Sequence, residues 1–158
     1  MTTGAQNTVV GYNAFTSATT AAYSVAMGYR SLLNATTSSY NTAVGYDSMK
    51  DATTGANNTA LGGRSLQSCT TGGSNVALGD YALNTSTTAS NNTAVGTQAL
   101  RYNTTGTQNT ALGVNSLDAN TTASYNTAIG SYSLGANTTG ATNTAVGDTG
   151  PAVVVSGG

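Results

Sequence analysis

Charge is the first thing this sequence lacks. Only 6% of its 158 residues are charged, against about a quarter in an average soluble protein. The formal net charge is −1, so neither sign dominates the surface. We therefore expect no electrostatic attraction to nucleic acid or to an anionic membrane.

Several residue types that carry chemistry are also missing. The chain has no His and no Trp, and its five acidic residues are all Asp. Cys69 is the only cysteine, so no disulfide can form within the chain. No apolar run approaches the roughly 20 residues of a membrane-spanning helix. We expect no enzymatic activity, no cofactor, no metal site and no membrane span.

What the chain does have is an unbroken internal repeat. A glycine recurs every 17 residues without insertion or deletion. An exact period of this length is typical of a solenoid, in which one repeat forms one coil. We expect these structural turn glycines to end each strand, because glycine permits a positive φ and close approach of the backbone: Gly11, Gly28, Gly45, Gly62, Gly79, Gly96, Gly113, Gly130 and Gly147.

We count positions from that glycine as zero, and we call the residues at one position in successive repeats a column. Position −4 is Asn in eight of nine repeats, −3 is Thr or Val, −2 is Ala in all but one, and −1 is always aliphatic. Position +4 is a large apolar residue in the eight complete repeats, and +8 and +9 are both Thr. The segment from −4 to −1 has the composition of a short strand. The apolar residues lack the 3.6-residue spacing of a helix.

These columns predict an all-β fold: a parallel β-solenoid, or β-roll, of nine 17-residue coils over residues 1–150. Stacking at the strand spacing of about 4.8 Å gives a rod about 40 Å long. We expect the Asn column to form an amide ladder and the Thr columns hydroxyl ladders. Variable positions +5 to +7, which include Lys50, Asp51, Arg101 and Asp118, are expected to face solvent.

The two faces of each strand predict self-association. Side chains alternate, so −3 and −1 share one face and −4 and −2 share the other, and neither carries a charge in any repeat. Strands uncharged on both faces are usually covered on both. The return segment of the coil can cover one face. We expect the other, where Ala at −2 would permit close approach, to pack against copies of the same chain.

Residues 151–158 depart from the repeat. Pro151 stands where the large apolar residue should be at +4, so the solenoid is expected to end there. The apolar run Ala152, Val153, Val154 and Val155 predicts a short strand. It would either cap the last coil or pair with another chain.

The motif Asn92-Thr93-Ala94-Val95-Gly96, followed by Ala99-Leu100, resembles the head repeats of trimeric autotransporter adhesins and related repeats of bacteriophage tail fibres. The resemblance extends over residues 2–150. It implies a left-handed parallel β-roll of three chains, displayed on a virion or cell surface outside the cell and used for attachment. Adhesin head repeats are typically shorter, so the resemblance also implies an extra loop around +5 to +10.

A column of tyrosines is the one candidate binding surface. Tyr12, Tyr29 and Tyr46 occupy +1 in successive repeats, with Arg30 and Asp47 beside them at +2. Exposed tyrosines with polar neighbours could stack on sugar rings of a host-cell glycan. The alternative, which we favour from the sequence alone, is a ladder of rings that stiffens the wall of the solenoid.

Three functions remain open from the sequence. The first is a non-enzymatic attachment rod, a phage tail fibre or bacterial adhesin head, built as a homotrimer and presenting a multivalent receptor-binding surface. The second is a subunit of a self-assembling extracellular filament, joined end to end through the open coils. The third, ranked lowest, is an ice-binding protein that uses the Thr columns at +8 and +9.

Overall fold

The structure, a computed structural model, describes residues 4–148 and the backbone of residues 153–156. It contains one ten-stranded sheet whose strands follow the order of the chain. The described residues form no helix, and so none that could span a membrane. The strands are β1 (Thr8–Val10), β2 (Val25–Met27), β3 (Thr42–Val44), β4 (Thr59–Leu61), β5 (Val76–Leu78), β6 (Thr93–Val95), β7 (Thr110–Leu112), β8 (Thr127–Ile129), β9 (Asn143–Val146) and β10 (Val153–Ser156).

Strands β1 to β9 are parallel and in strict register. Each residue pairs with the residue 17 positions later, as Thr42 does with Thr59 and Ala43 with Ala60. The predicted parallel β-solenoid with a 17-residue period is therefore confirmed. Each strand has only three or four residues, so every coil depends on hydrogen bonds to the next coil.

The C-terminal strand β10 breaks the pattern. It pairs antiparallel with β9, with Val153 opposite Val146 and Ser156 opposite Asn143. The described part of the predicted C-terminal strand therefore lies on the last coil of its own chain. Ala152 lies outside the described residues.

The interior of each coil is narrow and holds one large side chain. In the coil that begins with β5, the large side chain is Leu83, which is fully buried. Around it lie small side chains that are equally buried: Asn75, Ala77, Ala82, Ser86 and Ala89. The prediction that the +4 side chain points into the coil is confirmed.

The predicted assignment of the two strand faces is wrong. Ala at −2 is fully buried inside its own coil in β2 to β9, whereas the aliphatic residue at −1 points outward. The reason is volume, because the large +4 side chain leaves room only for small residues opposite it. The prediction that +5 to +7 all face solvent is also wrong at +7, where Ala52, Cys69 and Asn103 are buried.

The recurrent glycine at position zero meets two constraints at once. Gly79 has φ +138°, a region that L-residues rarely adopt. A Cβ atom on Gly79 would lie 2.5 Å from the carbonyl oxygen of Gly96 in the next coil. The backbones of successive coils therefore approach too closely at this corner for any side chain.

The predicted Asn ladder is present and closes each coil. Asn75 Nδ2 donates to the carbonyl of Ala89, 2.9 Å away at the far side of the same coil. Asn75 Oδ1 accepts the backbone N–H of Asn92 in the next coil at 3.0 Å. The Thr ladder differs from the prediction, because the +8 hydroxyls of the first seven complete coils donate to backbone carbonyls of the next coil, as Thr53 does to Thr70 at 3.0 Å.

Replacing one ladder residue should measure its contribution to stability. Asn75→Ala leaves the Ala89 carbonyl and the Asn92 N–H without their side-chain partner, at about 1–3 kcal/mol for each buried group. We expect the free energy of unfolding, measured by chemical denaturation, to fall by about 2–5 kcal/mol.

Asn75→Ser is the matched control, because Ser24 occupies the same column and accepts the N–H of Asn41 at 3.1 Å. It should retain the contact to Asn92 and lose about half as much stability. Equal stability of the natural chain and both variants would contradict a structural role for the ladder.

Candidate functional site

The predicted tyrosine column forms along one corner of the solenoid. Tyr12, Tyr29 and Tyr46 follow the glycine corner in three successive coils. Their rings are nearly parallel, with centroids 5.7 Å apart for the first pair and 5.3 Å for the second. Stacking follows directly from the register, because the same position recurs one strand spacing higher.

Arginines interleave with the tyrosines and extend the column beyond the residues predicted from sequence. The Arg30 guanidinium lies 4.8 Å from the ring centroid of Tyr29, and that of Arg64 lies 5.5 Å from the ring centroid of Tyr46. Arg64 and Arg101 both flank Tyr81, at 5.1 and 5.2 Å. We define the Tyr–Arg column as Tyr12, Tyr29, Arg30, Tyr46, Arg64, Tyr81, Arg101 and Tyr102.

Sequence reasoning missed Arg64, Tyr81, Arg101 and Tyr102 because they do not share one repeat position. Arg64 and Tyr81 stand at +2, whereas Arg101 and Tyr102 stand at +5 and +6. A long guanidinium reaches across columns to the neighbouring ring. The available signal was that Arg64 occupies the same repeat position as Arg30.

Asp47 does not present its charge to solvent. Its side chain is almost fully buried, and it accepts two hydrogen bonds from Arg30, from Nε at 2.8 Å and from Nη2 at 2.6 Å. These bonds to the carboxylate raise the pKa of the Arg30 guanidinium. Asp47 therefore fixes Arg30 against the wall of the solenoid.

The faces of the tyrosine rings are largely occupied by one another. Tyr29 has Tyr12 on one face and Tyr46 with Arg30 on the other. Exposure reflects this, because Tyr12 at the end of the stack is 71% exposed and Tyr29 is 40% exposed. The column therefore offers ring edges and hydroxyl groups to solvent. The sugar-stacking role of Tyr12, Tyr29, Tyr46, Arg30 and Asp47 stays a prediction.

A second surface lies on the outward side of the sheet. We define the outer sheet face as the −3 and −1 residues of β1 to β9. The −1 residues form an aliphatic column in which Val10 is 57%, Leu61 51% and Leu112 47% exposed. No residue of this face is charged. The −3 residues are Thr in seven strands and Val in β2 and β5. The continuous exposed aliphatic column beside them is unusual for an isolated soluble chain.

Groups that could support catalysis do not converge in residues 4–148. No three His, Cys, Asp or Glu side chains come together there as a metal site would require, and the described residues form no pocket. Asp118 is a single carboxyl whose pKa is raised by burial, an effect that the nearby Arg101 partly offsets. The expectation of no enzymatic activity stays a prediction.

Comparisons with known proteins give no identification of this chain. No protein-family model, curated protein or solved structure matches it.

Cys69 should be an unreactive thiol in the folded chain. It is fully buried at +7, and burial raises the pKa of its thiol to about 11. At pH 8 only about a thousandth of the thiol would be ionised, and the thiolate is the reactive form. We expect labelling by a thiol-specific disulfide reagent at pH 8 to be slow, and to become fast in denaturant.

The control combines Cys69→Ala with Ser68→Cys, which moves the thiol one position toward solvent. This variant should label readily under native conditions. If the natural chain labels as fast when folded as when denatured, the interior placement of +7 is contradicted.

Proposed function

We propose that this protein is a non-enzymatic attachment rod, built from copies of itself and displayed outside the cell on a virion or a cell surface. The observation that carries the proposal is the outer sheet face, which is uncharged, presents an exposed aliphatic column beside a column of mostly Thr, and is covered by no other described segment. A rigid solenoid with such a face is suited to assembly and display. Phage tail fibres and bacterial adhesin heads are the two settings that fit the sequence resemblance.

We propose that the outer sheet face packs against the same face of other copies of this chain. Three residues by nine strands cover on the order of 400 Å². Every coil presents the same column at the same spacing, so two copies in parallel register bring aliphatic side chains together at every level. No charge on either side opposes that contact.

The assembly that we propose is a trimer. A stable interface buries about 800 Å² per partner, which is about twice the area of the outer sheet face. In a trimer around the rod axis, each chain meets two neighbours and also buries the edges of the face. This arrangement agrees with the trimer implied by the sequence resemblance.

Attachment would then follow from repetition. A trimer displays three copies of the Tyr–Arg column on one rod, and weak contacts to a surface glycan gain avidity when several engage together. The exposed tyrosine hydroxyls and arginine N–H groups suit the hydrogen bonding that sugars require.

The filament alternative rests on the edge of the sheet at β1, whose outer side is paired with no described strand. At the other end, β10 occupies the edge of β9 that a following coil would need. End-to-end growth would therefore require β10 to detach or to pair at its outer edge. Electron microscopy separates this alternative from the trimer, because a filament grows with protein concentration and a trimer keeps one length.

The ice-binding alternative is favoured by one feature, the Thr column at +9. Thr54, Thr71, Thr88 and their counterparts are exposed in all eight complete coils, whereas the Thr at +8 bind backbone carbonyls. Of the +8 and +9 columns, only +9 is exposed in every complete coil, and one column is a narrow surface for ice. We expect no thermal hysteresis in a freezing-point measurement, and measurable hysteresis would make this alternative the better account.

Self-association should depend on the outer sheet face. We expect the natural chain to have the mass of three chains in light scattering or analytical ultracentrifugation. Leu61→Asp places a charge on the exposed aliphatic column and should shift the mass to that of one chain. The circular dichroism spectrum should not change, because Leu61 is outside the coil interior.

The control is Thr88→Asp, which adds the same charge at an exposed position of the return segment. It should leave the assembly intact. A natural chain that stays a single chain at high concentration would contradict the proposed assembly, and so would an equal effect of the two substitutions.

A further inference from the structure

The described part of the solenoid has a partial coil at each end. A complete coil runs from position −4 to position +12, and residues 7–142 form eight of them. Before these coils, residues 4–6 stand at +10 to +12, which is the end of a coil. After them, residues 143–148 stand at −4 to +1, which is the beginning of a coil. The two ends therefore consist of different parts of the same 17-residue unit.

The N-terminal partial coil already lies in register with the first complete coil. Gly4 N–H donates to the carbonyl of Thr19 at 3.2 Å, as Gly55 N–H donates to that of Thr70 at 3.2 Å in the interior of the solenoid. Residues 4–6 are therefore held in the place that positions +10 to +12 occupy in every other coil.

The C-terminal end of the solenoid is open over the return segment of the eighth coil. Leu134 at +4 is partly exposed, whereas Leu117 in the coil before it is fully buried. Gly140 at +10 is exposed, whereas Gly106 at the same position two coils earlier is buried. A Cβ atom on Gly147 would meet no atom within 4 Å, although one on any other corner glycine would meet the next coil. Among the described residues, nothing covers this return segment as each earlier one is covered.

The strand β10 covers the rest of this end, which is the edge of β9. In an interior coil the N–H at −3 donates to the next coil, as Thr42 N–H does to the carbonyl of Asn58 at 2.9 Å. The equivalent residue of β9 is Thr144, which lies directly opposite Val155 of β10. Opposite residues whose polar groups face one another exchange hydrogen bonds in an antiparallel pair. The strand β10 therefore occupies the backbone groups that a following coil would use.

The two ends of the solenoid are complementary to each other. Every coil presents the same backbone groups at the same positions, so the C-terminal side of one coil fits the N-terminal side of any other. If β1 of a second copy pairs with β9 in parallel register, residues 4–6 of that copy lie over the exposed return segment. Gln6 N–H of the second copy would then face the carbonyl of Ala141, as Tyr23 N–H faces that of Ala5 at 3.2 Å.

We propose that the C-terminal end of this solenoid is a binding site for the N-terminal end of a second copy, and that β10 is a cap that blocks it. When β10 leaves β9, residues 143–148 of one copy and residues 4–6 of the next belong to one shared coil. Charge does not oppose this contact, because residues 4–23 carry none and Asp148 is the only charged residue in 126–148.

This inference goes beyond the proposed attachment function and is separable from the lateral trimer. Stacking runs along the rod, whereas the outer sheet face meets its neighbours across the rod. Leu61→Asp, which should separate the lateral copies, should leave end-to-end growth intact in an uncapped chain. That growth should need a higher concentration, because one junction replaces three. End-to-end growth of single-chain rods would support the end site and reject the trimer as its requirement.

The test releases the cap by a change in the backbone of β10. Val155→Pro removes the N–H that faces β9, and should free the edge of β9. We expect the natural chain to keep one length at every concentration. The Val155→Pro chain should lengthen with concentration in electron microscopy, and its mass in analytical ultracentrifugation should at least double. Each added copy should lengthen the rod by about 40 Å, which is nine coil spacings.

A chain that lacks residues 151–158 is the second uncapped variant. It should grow in the same way as Val155→Pro, because it loses the whole of β10 and keeps every repeat. It keeps the experiment decisive if the proline disturbs the fold of the last coil.

Val154→Pro is the matched control. Successive N–H groups point to opposite edges of a strand, so the Val154 N–H faces away from β9 and its loss is tolerated at a sheet edge. This variant should keep the length of the natural chain. Val9→Pro tests the other end, because it removes an N–H on the outer edge of β1. Combined with Val155→Pro, it should stop the growth.

Any of four results would overturn the proposal. They are growth of the natural chain as readily as the Val155→Pro chain, a constant length of both uncapped variants, equal growth of the Val154→Pro and Val155→Pro chains, and growth of Val155→Pro that Val9→Pro leaves unchanged.

Discussion

Each coil of this protein is completed by the coil that follows it. A strand of three residues has no stability alone, and its N–H groups donate to carbonyls 17 or so residues away. The Asn column binds the beginning of each coil to its end and to the next coil. Because each Asn of the ladder lies directly over the next, the 17-residue distance between them cannot change without breaking these hydrogen bonds. This strict spacing determines which side chains are stacked on which.

The narrow coil interior links the fold to the surface. One large side chain at +4 fills the space, so the aliphatic residue at −1 is left outside. The same exact register stacks tyrosines and guanidinium groups along a corner. An uncharged face with an aliphatic column and a separate Tyr–Arg column therefore arise from the same repeat. The first suits self-association, and the second suits contact with a polar ligand.

The sequence predicted the features that depend on periodicity. The period, the strands, the inward +4 column and the Asn ladder all follow from counting positions. It did not predict the faces of the strand, because Ala at −2 and Val or Leu at −1 are both apolar and only the volume of the interior decides between them. It also missed the left-handed backbone at Leu66 and Leu83, with φ 48° and 50°, since leucine gives no sign of such a conformation.

The Tyr–Arg column was predicted only in part for a similar reason. Tyr12, Tyr29 and Tyr46 share a repeat position, so register alone brings them together. Arg101 and Tyr102 join the column from other positions, because long side chains cross between neighbouring columns.

Removing one whole coil tests the central claim most directly. A chain that lacks residues 76–92 loses 17 positions and keeps every later column in register. A chain that lacks residues 76–91 loses 16 and shifts every column after the junction by one. In chemical denaturation followed by circular dichroism, the first should unfold cooperatively with stability close to that of the natural chain, and the second should lose its β-structure. Equal stability of the two shortened chains would contradict the account.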